Sequence, residues 1–198
     1  MPIFDEAILE PLARRVRFKQ GLKHIPLDRP LEVVDLGCGP KMRFYYFAKQ
    51  HGVQIKHYTG IDPLVPDSVA QRLKNPKLTI ITQPLEDKIP LKNNSADVVT
   101  AFAFIEHIDH PRHILSEAYR ILRPGGKIVL SVPSKLAKTV LEFLAYRLKL
   151  ISAREIREHK QYFDHYRLIK TLPLNVQRTQ TSYELFEFGL NNLFVITK

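Results

Sequence analysis

Cysteine is nearly absent from this sequence: Cys38 is the only one in 198 residues. One thiol cannot close an internal disulfide, which excludes a small secreted scaffold stapled by bridges. Long apolar runs are missing too. The longest clean one, Ala101 to Ile105, is far too short to span a membrane. The opening MPIFDEAILE carries acids and no extended apolar stretch, which does not suit a signal peptide. Acids are few, 20 Asp+Glu against 30 Lys+Arg, which leaves a net charge of +10. Such an excess fits a nucleic-acid partner, a membrane surface or an acidic substrate, or serves solubility alone. A chain of this length buries enough surface to fold without a disulfide or a metal. The expectation is a soluble, cytoplasmic, single-domain protein over 1–198.

What is present is an alternation of helical and strand patterns. Residues 6–25 carry Ile8, Leu9, Leu12, Val16 and Leu22 at helical spacing, with basic residues between them. Pro26 and Pro30 end that segment. Short apolar strands follow at Leu31–Leu36, Tyr58–Ile61, Leu78–Thr82, Asp97–Phe104 and Lys127–Val132. Helical stretches fall at 41–51, 68–74 and 111–122, the last opened by Pro111 and broken by Arg123-Pro124-Gly125-Gly126. Residues 135–172 are mainly helical in pattern, and Tyr183–Phe188 and Leu193–Thr197 read as closing strands. The central strands are continuous apolar runs, so they are expected to be buried on both faces. The order predicts an α/β fold with a parallel sheet between two helical layers. Ligands of such sheets bind beyond the carboxyl ends of the strands, where the strand order reverses.

The first strand ends in Asp35-Leu36-Gly37-Cys38-Gly39-Pro40-Lys41. Gly37 and Gly39 permit a tight turn and a close backbone approach to a ligand. Asp62 closes the second strand, where a carboxylate can accept both hydroxyls of a ribose. Asp62-Pro63 also suits a plain turn. The dinucleotide fingerprint needs a third glycine where this chain has Met42, and no phosphate-cradling Gly-Lys-Ser/Thr is present. A ligand with a ribose and no phosphate fits better.

The segments VVDLGCG (33–39), GID (60–62), IPLKNNSADVV (89–99), IEHIDHP (105–111) and ILRPGGKIVLSVPS (121–134) resemble the successive motifs of class I S-adenosylmethionine-dependent methyltransferases. More closely they resemble the UbiE-like, type 11 group. The resemblance implies a doubly wound, mostly parallel, seven-stranded Rossmann-like sheet with its last strand antiparallel. It divides the chain into an N-terminal helical cap (1–30), a cofactor-binding core (31–134), a helical lid segment (135–172) and C-terminal strands (173–198). It implies that Asp35 and the loop Gly37, Cys38, Gly39 hold the methionine part of S-adenosylmethionine. Asp62 would take the ribose, Pro63 and Leu64 the adenine, and Phe102 and Ala103 the sulfonium region. Lys41 stands where the family often has a small residue. The family's acid after strand three has no clear equivalent, so Gln83 or Glu86 is the substitute.

The implied reaction is methyl transfer to a small-molecule acceptor, with a base within reach if the acceptor is a hydroxyl. His107 lies beside strand four, and His159 and Tyr162 lie in the lid; these are the candidate catalytic residues. The series His107, His110, His113 invites a metal, but the expectation is a metal-free site whose Glu106-His107 pair shapes the loop. No Asp/Asn-Pro-Pro-Tyr/Phe motif follows strand four, which sets aside planar amino-group methylation. Residues 135–180 hold ten Lys/Arg and four Asp/Glu, +6 of the total +10. That concentration points to an anionic or lipid/glycan-linked acceptor, with peripheral membrane contact an option. Two further readings stand beside this one. One is a NAD(P)-type Rossmann oxidoreductase. The other is a non-catalytic basic module of the same fold that binds RNA or membrane.

Overall fold

The computed structural model describes residues 10–72, 75–85, 88–138, 140, 161–172, 176 and 181–198. Helix α1 (Glu10–Leu22) leads into strand β1 (Leu31–Leu36), helix α2 (Arg43–Gln50) and strand β2 (Ile55–Ile61). Helix α3 (Asp67–Arg72), strand β3 (Leu78–Ile81) and strand β4 (Ala96–Phe102) follow. A single 3-10 turn at Ile105–His107 then leads to helix α4 (Pro111–Ile121) and strand β5 (Leu122–Pro133). Helix α5 (His165–Thr171) and strands β6 (Thr181–Phe186) and β7 (Asn191–Thr197) complete the described elements.

The seven strands form one sheet in the order β3-β2-β1-β4-β5-β7-β6. β1, β2, β3, β4 and β5 pair in parallel, and β7 runs antiparallel between β5 and β6. The order reverses between β1 and β4, which places a ligand crevice at their carboxyl ends. Each face buries its own apolar set. Leu31 and Val33 of β1 pack with Phe18 of α1 and Phe44, Phe47 and Ala48 of α2. Val34 and Leu36 turn the other way, toward Ile114, Leu115 and Ala118 of α4 and Leu168 of α5. Alternation along one strand thus feeds both layers. β4 is buried at every residue from Ala96 to Ala101, as its continuous apolar run predicts. Each such Val buried on both faces contributes roughly 1.5–3 kcal/mol.

Several boundaries differ from the sequence expectation. α1 ends at Leu22, before either proline, and residues 1–9 lie outside the described part. β2 starts three residues early, at Ile55. β5 does not start after the Arg-Pro-Gly-Gly break but runs through it. The register passes from Ala96↔Leu122 to Val98↔Lys127, so residues 123–126 stand out as a bulge. Gly125 supplies the positive φ this needs, at 79°. The bulge remains hydrogen-bonded because Gly125 donates to the Lys198 carbonyl at 2.7 Å, and Lys198 donates to that of Gly126 at 3.0 Å. Residues 161–164 are not helical, and of the rest of the lid only 135–138, 140 and α5 are described. The turn between β6 and β7 occupies 187–190, so β6 stops at Phe186 and not at Phe188. Among the described residues no helix is long and apolar enough to cross a membrane.

The sheet end away from the crevice is fastened by Asp97. Its carboxylate accepts from the Glu32 amide at 2.8 Å, from Arg29 at 3.0 Å and from Arg123 at 2.8 Å. Burial alone would raise this group, but the three donors hold it below the ordinary aspartate value. A depressed folded value means the stabilisation is present above the ordinary value of 3.8 and is lost as pH falls through the depressed one. Asp97→Ala is expected to cost about 1–3 kcal/mol in urea unfolding at pH 7. The gap to the wild type should close as the pH is lowered through the aspartate range.

Candidate active site at the strand ends

The sequence Gly37-Cys38-Gly39 leaves β1 through two left-handed residues, with φ of 75° at Gly37 and 66° at Gly39. The two glycines serve different ends. A Cβ on Gly37 would fall 2.4 Å from the Phe104 ring, so this residue is packed against the loop after β4. A Cβ on Gly39 would meet nothing within 4 Å, so the backbone here faces open space. Met42 follows in the left-handed region at φ 42°, buried, at the entry to α2.

Asp62 at the end of β2 is buried and ties the two strand ends together. Its Oδ2 accepts from the Gly39 amide and its Oδ1 from the Leu64 amide, both at 2.8 Å. One lone pair remains on each oxygen for a ligand. Pro63 and Leu64 are exposed beside it, Leu64 at 78%, and Gln83 is exposed after β3. Glu86 lies outside the described residues.

Asp35 sits deeper, 3% exposed, on the same strand face as Val33. Its register partner on β4, Thr100, donates to Oδ1 at 2.6 Å, and the Tyr58 hydroxyl donates to Oδ2. Burial pushes its pKa up to about 6 against the pull of those two donors, and the Asp62 charge adds to the rise. Two buried carboxylates at adjoining strand ends suit a ligand bearing a diol and positive charge. Burial and the same two acids raise the Cys38 thiol, so it is held as a neutral packing group and not as a nucleophile.

Phe102 does not point into an open crevice. Its ring lies under α1, 5.3 Å from that of Phe18 and 4.9 Å from that of Phe44, with Gly21 against its edge. Ala103 turns the chain at φ 50°, and its amide donates to the Ser131 carbonyl at 3.0 Å. His107 is half-buried on the 3-10 turn. The Gln161 amide donates to the Glu106 carbonyl at 3.2 Å and its side chain to that of Ile108 at 2.9 Å. These bonds flank His107 and bring the segment carrying half-buried Tyr162 to the same turn. His159 lies outside the described residues.

Sequence reasoning missed a second polar set. Both Glu106 carboxylate oxygens, Ser131 Oγ, Gln20 Oε1 and Arg17 Nε are buried with no hydrogen-bond partner among the described residues. Glu106 and Ser131 are both 0% exposed. The one available signal was Glu106 itself, a carboxylate set directly after the apolar AFAFI run. Nothing in the sequence marked Tyr58, whose role depends on a register set by the sheet.

Residues 34–130 match the family model described as "Methyltransferase domain". A ubiquinone biosynthesis O-methyltransferase of Vibrio atlanticus is 24% identical over 143 residues, covering 71% of this chain and 60% of that protein. Norajmaline N-methyltransferase of Rauvolfia serpentina is 30% identical over 117 residues, covering 53% of this chain and 37% of that protein. The chain thus spans from about a third to three-fifths of the length of the curated relatives it matches. In fold it is similar to an S-adenosylmethionine dependent methyltransferase from Mesorhizobium loti, at TM-score 0.66 and 16% identity, covering 91% of this chain and 96% of that one.

The two loop glycines should separate in a stability measurement. Gly39→Ala is expected to cost about 1–2 kcal/mol from the left-handed backbone alone. Gly37→Ala adds the clash with Phe104 and should cost roughly 3 kcal/mol or more in urea unfolding. Equal costs would contradict the division of roles.

Proposed function

We propose that this chain is an S-adenosylmethionine-dependent methyltransferase acting on a hydroxyl of a small molecule. The observation that carries the reading is the joining of the open Gly39 loop to the buried Asp62 carboxylate, beside buried Asp35, within a methyltransferase-family match. When bound, the cofactor supplies an activated methyl group on a sulfonium. Asp62, with one free lone pair on each oxygen, would accept the two ribose hydroxyls. Leu64 and Pro63 offer an exposed apolar shelf for the adenine, with Gln83 at its rim. The backbone of Gly37, Cys38 and Gly39 would meet the methionine end. Asp35, with Asp62, sets a negative potential that favours a cationic ligand. Phe102 and Ala103 bound the sulfonium side, Phe102 through the ring cluster it anchors. A dinucleotide is less well served, because Met42 fills the third-glycine position in a buried, left-handed backbone.

The acceptor is a small molecule taken up around the 3-10 turn, with His107 and Tyr162 as its contacts; His159, the third candidate, lies outside the described residues. A hydroxyl is supported by the acceptor-rich polar set beside that turn and by the O-methyltransferase names among the relatives. The basic lid supports an anionic or lipid/glycan-linked remainder on the same molecule. A suitable probe is 3,4-dihydroxybenzoate, which joins two hydroxyls to an anionic group.

Calorimetry with S-adenosylmethionine and S-adenosylhomocysteine tests the cofactor. Both are expected to bind, and Asp62→Ala to weaken binding about 10–100-fold through loss of charge-assisted hydrogen bonds. Wild-type affinity should fall as the pH drops through about 6, where Asp35 gains its proton. A folded sample that binds neither ligand overturns the reading.

A further inference from the structure

The buried polar atoms beside the 3-10 turn form one set by geometry. Ser131 follows Val129 by two residues on β5, so both face the α1 side of the sheet. α1 lies against that face, since a Cβ on Gly21 would meet the Phe102 ring at 2.4 Å and Val129 Cγ1 at 3.3 Å. Arg17 and Gly21 are four apart on α1 and share its inner face, and Gln20 adjoins them. The Glu106 carboxylate feels the Arg17 and Glu10 charges from the same helix. Arg17 donates to Glu10 at 2.5 Å, which leaves its Nε without a described partner. Glu187, on the turn between β6 and β7, faces that same Arg17–Glu10 pair.

Buried polar atoms without partners are costly and rare in folded proteins, about 1–3 kcal/mol each. Asp97, buried though less deeply, shows what a purely structural acid looks like in this protein: three donors satisfy it. The set around Glu106 is the opposite case. With Glu106 ionised, its atoms are mostly acceptors (two carboxylate oxygens, an amide oxygen and a hydroxyl that also donates) against one guanidinium N–H. A ligand that brings hydroxyl donors would satisfy them, whereas an anion would meet Glu106, Glu10 and Glu187 with Arg17 alone to offset them.

Resting on the methyltransferase reading above, we propose that Glu106, Ser131, Gln20 and Arg17 form the acceptor subsite, and that Glu106 takes the proton of the reacting hydroxyl. As the acceptor O–H bond breaks, its proton passes to a Glu106 oxygen and its electron pair forms the new bond from oxygen to the methyl carbon. The methyl–sulfur bond breaks with its pair left on sulfur, giving the neutral thioether. Arg17 favours the ionised carboxylate that this step needs, and Ser131 and Gln20 hold the hydroxyl-bearing end. α1 covers the subsite, so the acceptor enters by displacing this helix. Burial raises the Glu106 pKa to about 8, so the ligand-free subsite keeps the neutral acid at pH 7.

Two variants and three readouts test this. Glu106→Gln keeps the shape of the neutral acid. It should leave S-adenosylhomocysteine affinity within about twofold while cutting methyl transfer to 3,4-dihydroxybenzoate about 100-fold. Wild-type kcat/KM should rise toward a plateau above pH 8, a limb that Glu106→Gln lacks. The stability readout needs no acceptor. A carboxyl raised from 4.5 to about 8 stabilises fully below 4.5, and this is lost as pH rises through 8. Wild-type Tm should therefore fall relative to Glu106→Gln as pH rises from 4.5 to about 8 and level off above that. Ser131→Ala should keep or raise Tm, because it removes an unpaired hydroxyl, yet raise KM for the probe about tenfold. Three results overturn the proposal. One is Tm curves that coincide across the pH range. Another is unchanged kcat/KM in both variants, as an ordered water filling the space would give. The third is a wild type that binds S-adenosylhomocysteine but neither binds nor methylates the probe. Failure to bind S-adenosylhomocysteine at all fails the underlying methyltransferase reading instead.

Discussion

The hydrogen bond from the Gly39 amide to the Asp62 carboxylate is the constraint on which the rest of the site depends. It joins the ends of β1 and β2 and holds the glycine loop against the Asp62 carboxylate, which keeps one unused lone pair on each oxygen. Without a Cβ at Gly39 the loop stays open at the point where a ligand would lie. Asp35 backs this arrangement from below. Its donors come from β4 and β2, so its position reports that all three central strands are in register.

The two ends of the sheet treat buried charge in opposite ways. At the closed end, Asp97 is surrounded by donors and fastens β4 to β1 and to the β5 bulge. At the crevice, Asp35 and Glu106 are buried with fewer donors than they can use, and both are pushed toward the protonated form. A fold has no stability reason to keep such groups, since a neutral residue of the same shape would avoid their desolvation. Both stand at the ends of β1 and β4, where the proposed cofactor and acceptor sites adjoin.

Much of this was legible along the chain. The apolar strands and the punctuating prolines and glycines pointed to the doubly wound sheet, and the Gly37–Gly39 loop followed by Asp62 to the cofactor side proposed above. Legibility failed wherever a contact spans distant segments. The packing of the Phe102 ring under α1, against Phe18 and Phe44, is one such contact. The Arg-Pro-Gly-Gly break proved to be a bulge within β5, held by the far end of β7.

The sequence alone determined the class of fold and the glycine turn followed by an acid at the next strand end, because strand periodicity and left-handed glycine turns are local properties. The tertiary structure decided which acid is clamped and which is left waiting. Asp97, Asp35 and Glu106 are each short acids beside apolar runs in the sequence. Only packing determines how many donors reach each one, since those donors lie from 23 to 65 residues away for Asp35 and up to 68 for Asp97.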